Sequence, residues 1–268
     1  MDMMTTKTNQ GVTENKVESN IKECRYVDCS EFKSCFSKFD GISALHLNIS
    51  SLSKHIDSLS NMLEQLALEF KVIAISETRI KHDSIPHNLE IPNYECISTK
   101  TEAAAGGTAI YIHKNITYKI RSDLNLYKPK FLESTFIEII RPKKGNIVIG
   151  TIYKHPNMQS CEFVEEFLSS DLDIINKEQK MCVLLGDFNI NLLDQESRAV
   201  SNFVDTLSSN GFFPTISLPT RVTNNSISLI DNILTNIEKY PILVGKLMVG
   251  KNPFEFRVST KLETALLS

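Results

Sequence analysis

The chain has 268 residues, 41% of them hydrophobic and 23% charged, with a formal net charge of −3. That length suits one large domain or two small ones with a real core, and six cysteines spread over it do not make a disulfide scaffold. The slight acidity argues against a general nucleic-acid coat protein but leaves room for a nuclease, whose metal site needs carboxylates.

Residues 1–22 are polar and without periodicity, so a disordered segment is expected, with no secretory signal. No apolar run reaches the length of a membrane span, and an intracellular location is expected. Ala44–Ile49 (ALHLNI) reads as a buried strand. From Leu52, apolar residues recur at Ile56, Leu59, Leu63 and Leu66, which is helical spacing. Lys71–Ser76 (KVIAIS) reads as a second buried strand, and Gly106–His113 (GGTAIYIH) as a turn followed by a strand. Ser134–Ile140 and Asn146–Tyr153 flank the basic turn RPKKG and read as a β-hairpin. Phe163–Ile175 and Val200–Leu207 have helical periodicity. Met181–Ile190 (MCVLLGDFNI) reads as a buried strand opening into a polar loop, and Ser228–Leu234 (SLIDNIL) as a short strand interrupted by Asp231. Strands alternating with helices early, and hairpins later, predict an α/β domain with mixed sheets.

Polar residues stand where these strands end: Asn48, Glu77, Tyr153, Asp187 and Asn189. Singly, each has a plain structural reading: a cap or turn residue, a Glu77–Arg79 pair, a core tyrosine. Together they mark the place where α/β proteins build sites. The chemistry that fits is phosphodiester hydrolysis. Glu77 with Asn48 offers oxygen ligands to Mg²⁺ or Mn²⁺, Asp187 can take a proton from water, and Asn189 and Tyr153 can donate to a phosphate.

The segments HLNISSL, AISETRI, GGTAIYI, IGTIYKHPN, LLGDFNINLL, PTR and SLIDNILTN occur in that order. In this the chain resembles the endonuclease domain of non-LTR retrotransposons, a branch of the endonuclease/exonuclease/phosphatase superfamily, from about Cys24 to Asn236. The resemblance implies a four-layer α/β sandwich, two mixed β-sheets with outer helices. It implies a Mg²⁺-dependent (or Mn²⁺-dependent) DNA endonuclease that nicks its target in the nucleus, with DNA as partner, no membrane and no small-molecule cofactor. It makes Asn48 and Glu77 metal-site residues, Tyr153 and Asn189 substrate contacts, Asp187 and Asn189 the central catalytic pair, and Asp231 the aspartate that orients the family's histidine. That family ends in Ser-Asp-His followed by a final strand. Here nothing after Asp231 is an aspartate, and the last histidine is His155. The expectation is therefore a domain over residues 23–237, an atypical tail over 238–268 with the final strand missing or replaced by PILVGKLMVG, and impaired catalysis. The alternatives are a non-catalytic remnant that binds DNA or protein, and a phosphoesterase of the same superfamily.

Weaker signals remain. Cys24, Cys29 and Cys35 match no standard zinc spacing. His82 and His87 flank Pro86 in an expected loop. His46 shares the alternate face of Asn48 but also suits a core. The basic residues of the middle third (Lys114, Lys119, Arg121, Lys128, Lys130, Arg141, Lys143 and Lys144) read as a DNA-facing patch or a solvated face.

Overall fold

The computed structural model describes residues 24–36, 41–81, 89–223, 225–238, 242–248 and 259–262. The expected disordered segment 1–22, and His82 and His87, lie outside them, as do the side chains of Cys29 and Cys35. In chain order the elements are β1 (Arg25–Asp28), α1 (Cys29–Phe36), β2 (Ile42–Asn48), α2 (Leu52–Leu66), β3 (Val72–Ser76), β4 (Tyr94–Thr99), β5 (Thr108–His113) and β6 (Tyr118–Ile120). Next come β7 (Tyr127–Lys128), β8 (Leu132–Ile139), β9 (Ile147–Lys154), α3 (Ser160–Glu162), a π-helical stretch over Phe163–Leu168, α4 (Ser169–Lys177) and β10 (Met181–Asp187). The remainder is α5 (Arg198–Ser209), β11 (Phe213–Pro214), β12 (Arg221–Val222), β13 (Ile227–Ser228), β14 (Asp231–Thr235), β15 (Ile242–Met248) and β16 (Ser259–Leu262).

Two mixed sheets carry the fold. The first runs β1-β15-β16-β2-β3-β5-β4; the second runs β11-β14-β10-β9-β8-β6, with β7 paired to β8. Within them β2 and β3 are parallel, as are β9 and β10. Period-two alternation then sorts side chains into layers. Ile42, Ala44, Val72, Ala74, Ile110 and Ile112 of the first sheet meet Ile137, Ile149, Val183, Leu185 and Ile233 of the second in one buried cluster. The opposite residues of the first sheet, Leu45, Leu47, Ile73 and Ile75, pack under the apolar stripe of α2, Leu52, Ile56, Leu59, Met62 and Leu66. The outward residues of the second sheet, Val148, Ile152, Cys182 and Leu184, pack under Phe163, Leu168, Leu172, Phe203 and Leu207 of the helices. The result is the expected four-layer sandwich.

Three differences from the sequence reading have physical reasons. Asp231 opens β14 instead of interrupting a strand, because the preceding Ser228–Ile230 is taken up by the hairpin β12–β13 and by Ile230 O accepting the Phe188 N–H. The strand read through Ile190 stops at Asp187, since Asn189 turns left-handed at φ 46°. The segment after Asn236 contributes two strands to the first sheet. There β15 runs parallel to β1 and antiparallel to β16, and β16 pairs antiparallel with β2, Ser259 facing Leu45. The edge of β2 is thus covered, and PILVGKLMVG supplies one of the two strands.

Candidate active site

The parallel pairs β2/β3 and β9/β10 end at the same side of the sandwich. In the first sheet Asn48 lies level with Ser76, just before Glu77. In the second, Tyr153, Asp187 and Asp231 lie level with one another across three strands, and Glu133 is level with Tyr153 on the fourth. The crevice outside the carboxyl ends of such strands is where ligands are held in open α/β sheets.

One side chain joins the two halves. The Asn48 amide donates from Nδ2 to Glu77 Oε1 at 2.9 Å and to Asp187 Oδ2 at 2.8 Å. Glu77 and Asp187 are 110 positions apart in sequence, yet their carboxylates lie within two hydrogen-bond lengths of each other. The Tyr153 hydroxyl faces the Glu77 carboxylate from the second sheet. Burial, then the nearby Glu77, Asp187 and Glu133 carboxylates, raise the Tyr153 phenol far above its ordinary value, so it stays a donor. Asp187 itself is buried, and its Oδ1 accepts the Asn189 backbone N–H at 3.1 Å.

Asn189 reaches this place through a turn of its own. Its left-handed backbone folds it back over Asp187, and its side-chain amide donates to Lys154 O at 2.7 Å. Asn189 therefore ties the end of β9 to the loop after β10. Gly186 allows the two strands to lie so close, because a Cβ there would sit 2.2 Å from Ile152 O.

Backbone strain gathers at the same end. Ser50, Ser51, Glu77, Arg79 and Asn189 are non-glycine residues at positive φ. Such residues cost of order 1–3 kcal/mol each and cluster at functional sites. Arg79 reaches across the mouth, to Ser50 Oγ at 2.9 Å and to Glu77 Oε2 at 3.4 Å, so the Glu77–Arg79 pair exists alongside Glu77's other bonds.

His46 is buried between the sheets and shares a 3.2 Å hydrogen bond with Ser76, which is the core reading. Most of the middle-third cations face away from the site. Arg121 is buried and bonded to Asp123, Glu138 and Glu178. Lys119 pairs with Glu138. Burial pushes the Glu138 carboxyl up, but bonds from Lys180, Asn146 and Lys119 outweigh it and hold it at about 2. Arg141 closes the far turn on Lys144 O and Gly145 O. Lys128 and Lys130 do flank the site end of β8, and Lys128 is paired with Glu162. Cys24 is buried and in no disulfide, and among the described residues no group of three or more His, Cys, Asp or Glu is placed to hold a metal.

Sequence reasoning missed Lys154. It is level with Leu132 and shares the outward face of Val148 and Ile152, only 1% exposed, beneath the apolar helix layer. Burial lowers its pKa from 10.5 to about 8, with Asp187 opposing. The unfolded chain holds this proton up to about its ordinary pKa of 10.5 and the folded chain only to about 8, so stability rises with pH across that window. Lys154→Met should therefore stabilise the fold by up to about 3 kcal/mol below pH 8, and the gain should shrink as pH approaches 10. Paired melting curves across pH check this; a gain that is constant with pH would contradict it.

The chain is thus a four-layer α/β sandwich that brings carboxylates of both sheets together at its strand ends. Residues 45–244 match the model of the Endonuclease/Exonuclease/phosphatase family, and the chain belongs to that family. Among curated proteins none matches the sequence. Among solved structures it is similar to the endonuclease domain of TRAS1, a telomere-specific non-LTR retrotransposon, at 10% identity over 84% of this chain and 99% of that one, with a TM-score of 0.59. It is also similar to the AP endonuclease LMAP from Leishmania major, at 13% identity over 84% and 89%, with a TM-score of 0.62. A third likeness is to the 3′ phosphatase NExo from Neisseria bound to a product DNA hairpin, at 14% identity over 84% and 100%, with a TM-score of 0.58. At these identities the likeness is one of fold. Among the described residues no helix is long and apolar enough to cross a membrane.

Proposed function

We propose that this chain is a DNA endonuclease of the retrotransposon type, nicking one strand of its target by metal-dependent phosphodiester hydrolysis in the nucleus. The observation that carries this reading is the Asn48 amide held between Glu77 and Asp187, which gathers two carboxylates and an amide from two sheets into one cleft. That donor set is all oxygen once the amide presents its carbonyl, and amide orientation is assigned from the hydrogen-bond network. It suits a hard cation such as Mg²⁺ or Mn²⁺, which takes one or two carboxylates and keeps its waters. Glu77 and Asn48 would hold it, and when bound it supplies polarisation of a phosphoryl oxygen and charge for the leaving alkoxide.

The chain's own residues do the rest. A water oxygen forms the new bond to phosphorus, the bond to the leaving sugar oxygen breaks, and Asp187 takes the water's proton. Tyr153 keeps its hydroxyl proton beside Glu77 and Asp187, whose charges raise its pKa, so it can donate to a phosphoryl oxygen. Asn189 spends one amide hydrogen on Lys154 O and keeps a second for the phosphate. Asp231, level with Asp187, is the residue that would orient a histidine, and residues 232–268 contain none. Nicking is therefore expected to be weak.

Conversion of supercoiled plasmid to nicked circles in Mg²⁺ or Mn²⁺, and its loss in chelator, tests the reading. Hydrolysis of a small phosphomonoester with no nicking would favour the phosphoesterase alternative, and DNA binding without either would favour the remnant. Glu77→Gln should lower metal affinity at least tenfold in calorimetry, since it removes one ligand charge, about 1.4 kcal/mol or more. Equal affinities in both forms would remove Glu77 from the metal site.

A further inference from the structure

Two buried titratable side chains beside the cleft have no part in that chemistry. Glu133 is fully buried on β8 and His155 is nearly so, one residue past β9. His155 Nε2 lies 2.7 Å from Glu133 Oε2, and Thr101 Oγ1 donates to Glu133 Oε1 at 2.7 Å. The imidazole ring is thus tied through Nε2 to a carboxyl group that Thr101 holds from its other side.

The pair touches both halves of the site. Toward the second sheet, the His155 ring stands edge-on to the Tyr153 ring, centroids 4.7 Å apart at 73°, and Glu133 is the strand partner of Tyr153. Toward the first sheet, it presses on Gly106, where a Cβ would fall 2.7 Å from His155 Nε2 and 2.9 Å from Glu133 Oε2. Gly106 O accepts the Arg79 N–H at 2.8 Å, and Gly107 O accepts the Thr78 N–H at 3.2 Å. Those two amides hold the loop in which Glu77 sits at φ 55°. Thr101 is also tied to this loop, its N–H donating to Ile80 O at 2.8 Å. The Tyr153 hydroxyl faces the Glu77 carboxylate across the cleft.

We propose that Glu133 and His155 are a positioning pair that locks the Tyr153 ring of one sheet against the Glu77 loop of the other, fixing the Glu77–Tyr153 geometry. A buried hydrogen-bonded pair of this kind is costly to break and specifies one arrangement of its neighbours. An apolar filler would occupy the space without fixing the angle of the tyrosine ring or the approach of the Gly106 loop. The need for glycine at 106 follows from the same contact, on top of its φ of 113°.

The test uses the full chain with ¹³Cζ-labelled tyrosine, the Tyr153 signal being assigned by Tyr153→Phe, together with nicking kinetics. His155→Phe keeps an aromatic edge beside Tyr153 and drops the bond to Glu133. It should move the Tyr153 resonance and lower kcat by roughly 10- to 100-fold, the cost of misplacing a site group by about 1 Å. KM should change less than about threefold, because both side chains are buried and offer no surface to a substrate. His155→Gln, whose amide nitrogen can still donate to Glu133, should retain the resonance and most of kcat. If His155→Phe does not fold, Thr101→Val, which removes the other donor to Glu133, should move the same signal. A folded His155→Phe, or Thr101→Val in its place, with an unmoved Tyr153 resonance overturns the proposal, as does an equal loss in the Gln and Phe variants. The kinetic arm rests on the endonuclease reading and the resonance arm does not. A shifted resonance in a protein that never nicks would uphold the pair and sink the endonuclease reading.

Discussion

Asp187→Ala is expected to lower nicking of supercoiled plasmid by about 10²–10⁴-fold, the usual contribution of a positioned acid–base group. Three losses coincide in that variant. The acceptor for the water's proton disappears, Asn48 loses its 2.8 Å bond to the second sheet, and the Asn189 N–H loses its 3.1 Å acceptor. Asp187→Asn separates chemistry from packing. It keeps the volume and an acceptor for Asn189, and it removes the base. Its rate should fall nearly as far while its melting temperature stays close to that of the parent chain. Initial rates of nicked-circle formation measure both. Retention of a third or more of the parent rate in Asp187→Asn would mean that another group accepts the proton.

The second large effect runs the other way. Placing Ser-Asp-His in positions 256–258, directly ahead of β16, should raise nicking by about 10²–10⁴-fold. The reason is topological. β16 runs antiparallel to β2 from Ser259 opposite Leu45 to Leu262 opposite Ile42, so the chain enters this strand from the Asn48 end. Asp231, level with Asp187 on β14, would then have an imidazole to orient. The substitution keeps β15 and β16, which an exchange of everything after Asn236 would not. An Asp231→Ala change should cancel the gain. A rate unchanged by the new motif would show that the histidine is not what limits this chain.

Much of the site was legible because its residues end apolar runs. Asn48, Glu77, Tyr153 and Asp187 each follow a strand whose burial is obvious from composition, and strand ends fix position. Asn189 was legible as a site residue but not by its geometry, since a left-handed turn leaves no mark in a two-residue spacing. The Glu133–His155 pair was illegible: its members are 22 positions apart and meet only through the β8–β9 register and the approach of the Gly106 loop. A glutamate inside FLESTFI was the available signal. Lys154 was hidden by its neighbours, since a charged residue after IGTIY reads as a strand end reaching water. β15 was legible only as a possible replacement strand, and β16 escaped, because their partners β1 and β2 are at the other end of the chain and pairing of that range has no local pattern. Half-exposed β4 lacked an apolar run altogether.

The closure of the first sheet also sets a schedule for synthesis. β2 is made early, but β16, the strand that covers its outer edge, comes more than 200 positions later, and β1 pairs with β15. At about 5–20 residues per second, the ribosome leaves that edge open for roughly 10–40 s. An open edge is a template for another copy's strand. Neighbouring ribosomes on one message would hold such copies close together, each offering the same strand. A message cut short before codon 242 would make the exposure permanent, so shortened copies of this gene should yield inclusion bodies instead of a smaller soluble domain.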